Sequence, residues 1–308
     1  MDLKEIAKEI KDIVADYQKK HSLSFIEDTH TYFIIGEDGN ITSDMPSVST
    51  VLKAFCHYFD STTTKAFKNC GGDRELEKQL LTEWGRKAEY ATNKGSRVHF
   101  ILEQELVNQY GAYKEVRKPI FECDQEQIVT GDAMIKAGKD FIDLMHERGA
   151  ILLDTEMVLG SVELGIFGQP DKIWLILDRN GSLGIIISDW KSNKEENMTE
   201  EVKPWTPPLL SPFEFLIDNA LCHYRLQLPL YAKILLKMLE GTKYSDIKLL
   251  GCIIVHLKDN GEFMEYRVDR NIIDTVLYMD IKTILKERKE HINKHKYLEK
   301  RDKNIINS

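Results

Sequence analysis

The spacing of apolar and polar positions changes near residue 150. Before that point it is mostly helical. In LKEIAKEIKDIVADYQKK, Ile and Val recur at helical intervals among charges, which predicts an amphipathic helix and not a signal peptide. LSFIEDTHTYFIIGEDGNIT reads as a hairpin with Glu37-Asp38-Gly39-Asn40 as its turn. MPSVSTVLKAF starts a helix, with Ser47 or Ser49 as its cap. Residues 74–148 are mostly helical, in one run through EWGRKAEYATNKGSRVHFILEQELVNQ and a second near 125–148.

Beyond residue 150 the period shortens. AILLDTEMVLG, ELGIFGQPDKIWLIL and SLGIIISDWK are short β-rich runs parted by glycine and polar turns. A proline-rich loop at 205–213 follows, and HYRLQLPLYAKILLKML returns to helical spacing. KLLGCIIVHL is a further strand, and 271–300 closes as a charged helix. The expected fold class is α/β, a mixed central β-sheet from about 150 to 268 flanked by helices. The organisation is a mainly helical N-terminal region, 1–149, and a core at 150–308, together one compact unit. There is no internal repeat and no low-complexity linker.

Composition narrows the function. The 308 residues carry a net charge of −8, which argues against an indiscriminate nucleic-acid coat but leaves room for a local basic channel. No apolar run approaches the ~20 residues of a membrane span, so no membrane partner is expected. The five cysteines are scattered and read as reduced thiols of a cytosolic protein.

The chemistry concentrates in GIIISDWKSN, residues 184–193, where an apolar strand runs into Asp189, Trp190 and Lys191. Between this strand and the preceding one lies Asp178-Arg179-Asn180-Gly181-Ser182. A three-residue hairpin loop places a left-handed residue, usually glycine, at its third position. With Gly181 there, Leu177 faces Leu183, Leu175 faces Ile185 and Ile173 faces Ile187, and the next pair is Asp171 and Asp189. Two carboxylates opposed on one face stand ~5 Å apart at Cβ and are destabilising unless a cation lies between them. Lys191 shares their face and Trp190 points to the other. Such a site suits a metal-dependent phosphodiesterase. Mg²⁺ takes oxygen ligands and polarises a phosphoryl oxygen or a water, and a lysine orients or deprotonates that water or neutralises the transition state.

Pro170-Asp171 followed by Asp189-Trp190-Lys191 resembles the signature of the PD-(D/E)XK nuclease superfamily. The D-x-K or E-x-K spacing recurs at Asp2–Lys4, Glu9–Lys11, Glu201–Lys203, Asp246–Lys248 and Asp280–Lys282. The 189–191 copy differs by the strand before it and the opposed acid. Gly95 to His99 resembles the G-x-x-x-H step of the RecB-like exonuclease branch. Gly168 before Asp171 matches its G-x-x-D strand, and Gln227 with Tyr231 its Q-x-x-x-Y helix, here interrupted by Pro229. The order is that of the branch, over roughly residues 84–235, and is similar to phage-type and mitochondrial genome-maintenance exonucleases.

The resemblance implies a restriction-endonuclease-like core and an Mg²⁺- or Mn²⁺-dependent DNA exonuclease. His99, Asp171, Asp189 and the backbone carbonyl of Trp190 would hold the metal, with Lys191 catalytic. Iron–sulfur relatives use four cysteines, three of them late in the chain. Here only Cys252 follows residue 222, so no cluster is expected. Glu156 is either a metal- or water-positioning acid or a surface glutamate. Glu103 is either a solvated residue or a partner of the site. Gln227 and Tyr231 either position DNA or the lysine, or pack a helix. Trp84, Arg86, Lys87, Lys94 and Arg97 form either a strand-binding channel or an ordinary charged helix face. The basic C-terminal run either touches phosphates or is a solvated face. Expected partners are DNA, single-stranded or with a free end, and a helicase or recombination protein on another chain. The expected location is cytoplasmic, in the host for a phage-encoded chain. An endonuclease on the same core and a non-catalytic DNA-end-binding protein stay open as alternatives.

Overall fold

The structure, a computed structural model, describes residues 2–26, 31–36, 40–110, 121–201 and 206–307. Helix α1, Leu3–Lys20, is capped by Asp2, whose side chain accepts from the Lys4 N–H, and buries Ile6, Ala7, Ile10 and Val14. It leads into an antiparallel meander of β1 (Leu23–Ile26), β2 (Thr31–Ile35) and β3 (Ile41–Asp44). The expected single hairpin is therefore three strands, and its turn at 37–39 lies outside the described residues. Of the two cap candidates, Ser47 caps α2, Val48–Leu52, by accepting from the Thr50 N–H. A short α3, Lys65–Lys68, precedes α4, Arg74–Tyr110, and α5, Gln125–Glu147, which opens on a capping box of Asp124 and Gln127.

Strands β4 (Ile151–Thr155), β7 (Lys172–Leu177), β8 (Leu183–Lys191), β9 (Lys248–Leu257) and β10 (Phe263–Arg267) build the central sheet in the order β10-β9-β8-β7-β4. Its pairs are antiparallel except β8–β9, which is parallel. A separate pair, β5 (Leu159–Ser161) and β6 (Ile166–Gly168), lies between β4 and β7 in the chain. Helix α6, Ala220–Leu239, makes the crossover from β8 to β9 that a parallel pair requires. The charged C-terminal stretch, read from sequence as one helix, is three: α7 (Arg270–Tyr278), α8 (Ile281–Glu287) and α9 (Lys289–Asn307). Asp280 restarts the helix as a cap, its side chain accepting from the Thr283 N–H.

The fold class is α/β, with the sheet between two layers of helices. Strand alternation sorts the side chains. Ile173, Leu175, Ile185 and Ile187 face a cluster containing α1, α2 and α6. Trp174, Trp190, Ile253 and Val255 face α4 and α5, where Phe141 meets Trp190 edge to face at 5.5 Å. The first cluster runs from Ile6 to Ile292, so the boundary near 150 does not divide the packing. Among the described residues no helix is long and apolar enough to cross a membrane.

The β7–β8 register agrees with the reading from sequence. Leu177 pairs with Leu183, Leu175 with Ile185 and Ile173 with Ile187. The turn closes with the Gly181 N–H on the Asp178 carbonyl at 2.9 Å, and Gly181 has φ 77°. A glycine adopts that conformation without the Cβ penalty.

Candidate active site

The ladder between β7 and β8 ends at Lys172 and Ser188, one step before the two acids. Asp171 is not paired strand to strand. Its Oδ2 instead accepts a hydrogen bond from the Trp190 N–H at 2.7 Å, so this carboxylate caps the open end of the hairpin. The two acids still continue the column of Ile173 and Ile187. Trp190 turns its ring into the opposite core, at 2 % exposure. Its backbone N–H is the group that Asp171 holds.

Three other segments converge there. Helix α4 brings His99, whose Nδ1 lies 3.4 Å from Asp171 Oδ2. The helix passes close because residue 95 is glycine, where an added Cβ would stand 2.8 Å from Ser192 Oγ. Strand β4 brings Glu156. A bulge between Leu152 and Asp154 shifts the β4–β7 register by one, so that Thr155 pairs with Lys172. Glu156 then falls opposite Asp171, and its N–H donates to the Asp171 carbonyl at 3.0 Å. Its φ is 49°, a left-handed conformation that costs a non-glycine residue about 1 kcal/mol. Gln169 Nε2 holds it there through the Glu156 carbonyl at 3.1 Å. Ligand atoms of His99, Glu156 and Asp171 all lie within 4.8 Å of one another.

Strand β8 supplies Asp189 and Lys191, joined by an ion pair on the same face. Lys191 Nζ also lies 4.3 Å from the centroid of the Tyr224 ring on α6. One helical turn along α6, Gln227 Nε2 donates to the Tyr231 hydroxyl at 2.7 Å. Pro229 sits between them inside the helix, where it removes one backbone hydrogen bond without parting the pair. Tyr231 packs on Gly168, where an added Cβ would meet its ring at 2.5 Å.

The sequence reading missed Lys172. It is fully buried, its Nζ 3.6 Å from Asp171 Oδ2 and 3.5 Å from the centroid of the Trp190 ring. That ammonium has no hydrogen-bond partner among the described residues. Strand parity could have found it, since Lys172 shares the face of the buried Trp174.

Burial and mutual repulsion set the charges. Glu156 is raised well above the ordinary carboxylate range, by burial and then by Asp171 and Glu103. Asp189 is raised by burial and then by Asp171. Burial pushes Asp171 the same way, but His99, Lys172, Lys191 and the Trp190 N–H outweigh it, and Asp171 ends below its ordinary value. Burial lowers His99 despite Asp171. Lys191 is raised, because Asp189 and Asp171 overcome its desolvation. Burial pulls Lys172 down from 10.5 to about 8. Burial thus makes Glu156 and Asp189 less comfortable anions than they are in water and His99 and Lys172 less comfortable cations, while charged neighbours favour the ionised forms of Asp171 and Lys191.

These residues suit a hard divalent cation. The donors are carboxylate oxygens and one imidazole, and a cation with ~2.1 Å bonds holds its ligand atoms no more than ~4.2 Å apart. His99, Glu156 and Asp171 reach that by small rotamer changes, and Asp189 borders the same space. The channel candidates are largely committed elsewhere. Lys87 pairs with Glu83 at 2.6 Å, Lys94 with Asp259 at 2.7 Å and Arg97 with Asp132 at 2.6 Å, while Trp84 lies beside Phe59.

No known family model matches the chain, and no curated protein matches it by sequence.

Proposed function

We propose that this protein is a divalent-metal-dependent nuclease that hydrolyses DNA phosphodiester bonds from a free end. The observation that carries the reading is the convergence of His99, Glu156, Asp171, Asp189 and Lys191, from four separate segments, at the open end of one hairpin. Three acids, a histidine and a lysine gathered from distant positions are costly to hold together for packing alone. The PD-(D/E)XK resemblance supplies the substrate class.

His99, Glu156 and Asp171, with Asp189 beside them, would hold Mg²⁺ or Mn²⁺. The ion would supply Lewis-acid polarisation of a phosphoryl oxygen and acidify a water. Lys191, its proton secured by Asp189 and Asp171, serves as an ammonium and not as a base. It stabilises negative charge that builds on the phosphoryl oxygens as the bond breaks. Glu156, destabilised as an anion by burial and by Asp171, gains most from the charge of a bound cation. Asp171 fixes the strand ends against each other through Trp190. Lys172 balances the acids from behind, and Tyr224 supports the Lys191 stem.

The test compares end-labelled linear with closed circular single-stranded DNA, with and without Mg²⁺. Degradation of the linear form only, and only with Mg²⁺, is the expected result. Equal cutting of both forms replaces the reading with an endonuclease. Binding without cleavage, with or without Mg²⁺, replaces it with a non-catalytic end-binding protein.

A further inference from the structure

Four of the chain's nine histidines gather away from the candidate active site. His57, His223 and His295 line a cavity of about 460 Å³ with Cys56, Lys53 and Glu299, and His291 stands against His295 with ring centroids 5.1 Å apart. Sequence alone does not reveal this, because the residues lie at the end of the α2 segment, in the first turn of α6 and on α9. Within the group, Cys56 Sγ, an Asp218 carboxylate oxygen and a His223 ring nitrogen lie within 4.8 Å of one another.

We propose that Cys56, Asp218 and His223 form a second metal site, of the thiolate–carboxylate–imidazole class that takes Zn²⁺. The donor set separates it from the candidate active site. A sulfur and an imidazole select zinc or cobalt, whereas oxygens dominate around Asp171. Tetrahedral zinc with bonds of about 2.0–2.3 Å needs ligand atoms roughly 3.5 Å apart, which small side-chain rotations supply.

The surroundings are built to hold these ligands. Asp218 accepts from the His57 backbone N–H through Oδ2 at 2.5 Å and meets His223 Nε2 through Oδ1 at 2.5 Å. This bond holds the two ligand groups side by side, and a bound ion would take the place of the proton shared between Asp218 and His223. The Cys56 carbonyl meets His291 Nε2 at 2.8 Å and His295 Nε2 at 3.2 Å, so the backbone carrying the sulfur is clamped from α9. Arg288 ties the neighbouring carbonyls of Ala54 and Ser211 at 2.6 and 2.7 Å. Lys53, which lines the same cavity, is already paired with Glu299 at 2.7 Å. Three protein ligands leave a fourth position for water, and two of the three, Cys56 and His223, line the cavity. The bound ion would join the segment after α2 to the start of α6, the helix that carries Gln227 and Tyr231. This site does not depend on the nuclease reading.

The test strips the full chain with a chelator and titrates it with Co²⁺, then Zn²⁺. One equivalent of Co²⁺ is expected to give a thiolate-to-cobalt charge-transfer band that Zn²⁺ abolishes. No sulfur stands among His99, Glu156, Asp171 and Asp189, so metal bound there gives no such band. Cys56→Ser should lose the band and Cys222→Ser should keep it. His223→Ala removes a side chain that is 32 % exposed, so the fold should survive, and Zn²⁺ affinity should fall at least about a hundredfold. No band in the parent protein, a band that persists in Cys56→Ser, or unchanged Zn²⁺ affinity in His223→Ala overturns the proposal. Should Cys56→Ser fail to fold, His223→Ala decides.

Discussion

Gly168→Ala tests how the site is assembled without reference to its chemistry. The added Cβ would lie 2.5 and 2.6 Å from Tyr231 Cδ1 and Cε1 and 2.9 Å from Val48 Cγ2. An ordinary carbon–carbon contact is roughly 3.5–4.0 Å. One side must therefore move by about an ångström. Tyr231 has little freedom to do so, because it is 6 % exposed in the main core and its hydroxyl is held by Gln227. Overpacking of this kind costs roughly 1–3 kcal/mol, and a rigid ring places it in the upper half of that range. At about 2–3 °C per kcal/mol for a chain of this size, the melting temperature should fall by about 4–9 °C. The assay is thermal unfolding of Gly168→Ala, Tyr231→Leu and the double variant. Leucine withdraws the ring edge and leaves only the 2.9 Å approach to Val48, so the alanine should cost at least about 1 kcal/mol less on that background than on the parent. Melting of Gly168→Ala within about 1 °C of the parent, or an equal penalty on both backgrounds, would show that β6 and α6 are not in the contact described.

Two further outcomes concern the lysines. Lys191→Ala should lower single-turnover DNA cleavage by about 10²–10³ while DNA affinity changes little; near-parental cleavage would assign Lys191 to structure alone. Lys172→Met removes a proton that the folded protein releases near 8 and the unfolded chain holds to 10.5. The folded state then binds fewer protons in that window, so the parent should gain stability over the variant, by up to about 3 kcal/mol, as pH rises from 8 to 10.5. A difference that stays flat across that range refutes the buried-ammonium reading.

The hairpin was legible because two local rules agree. A three-residue loop with glycine third fixes one pair, and the period of two then fixes every other pair and the face of each side chain. Trp190 in the core and Lys191 beside Asp189 follow from that alone. The opposition of Asp171 to Asp189 carried the register one step too far, since a carboxylate beyond the last ladder pair gains more by capping the free Trp190 N–H. Glu156 was ambiguous for a different reason. The bulge in β4 adds one residue without changing composition, and only partner registers on β7 reveal it. The charge of Lys172 suggests solvent, although its parity with Trp174 places it inside. β10 is a half-exposed edge strand with no clean alternation, and the break at Asp280 depends on a cap that resembles any other acid in a charged run.

The spaced motifs acquire a common physical meaning in the fold. Gly95, four residues before His99, lets α4 approach Ser192, the residue after Lys191. Gly168, three residues before Asp171, makes room for the ring of Tyr231, four residues after Gln227. Each glycine therefore makes room for a residue within or next to another motif. The first sets the depth at which α4 presents His99 to Asp171, and the second sets the depth at which α6 presents Tyr224 to Lys191. A side chain at either position would hold a helix away from a strand end, and an imidazole 3.4 Å from its carboxylate tolerates little of that. The four motifs meet at one hairpin end through α4 against the end of β8, β6 against α6, and β7 beside β8. Pro229 fits the same logic. It lies on the buried side of α6, and the Gln227–Tyr231 bond spans it, so the helix keeps the geometry of the motif through side chains where it gives up one backbone bond.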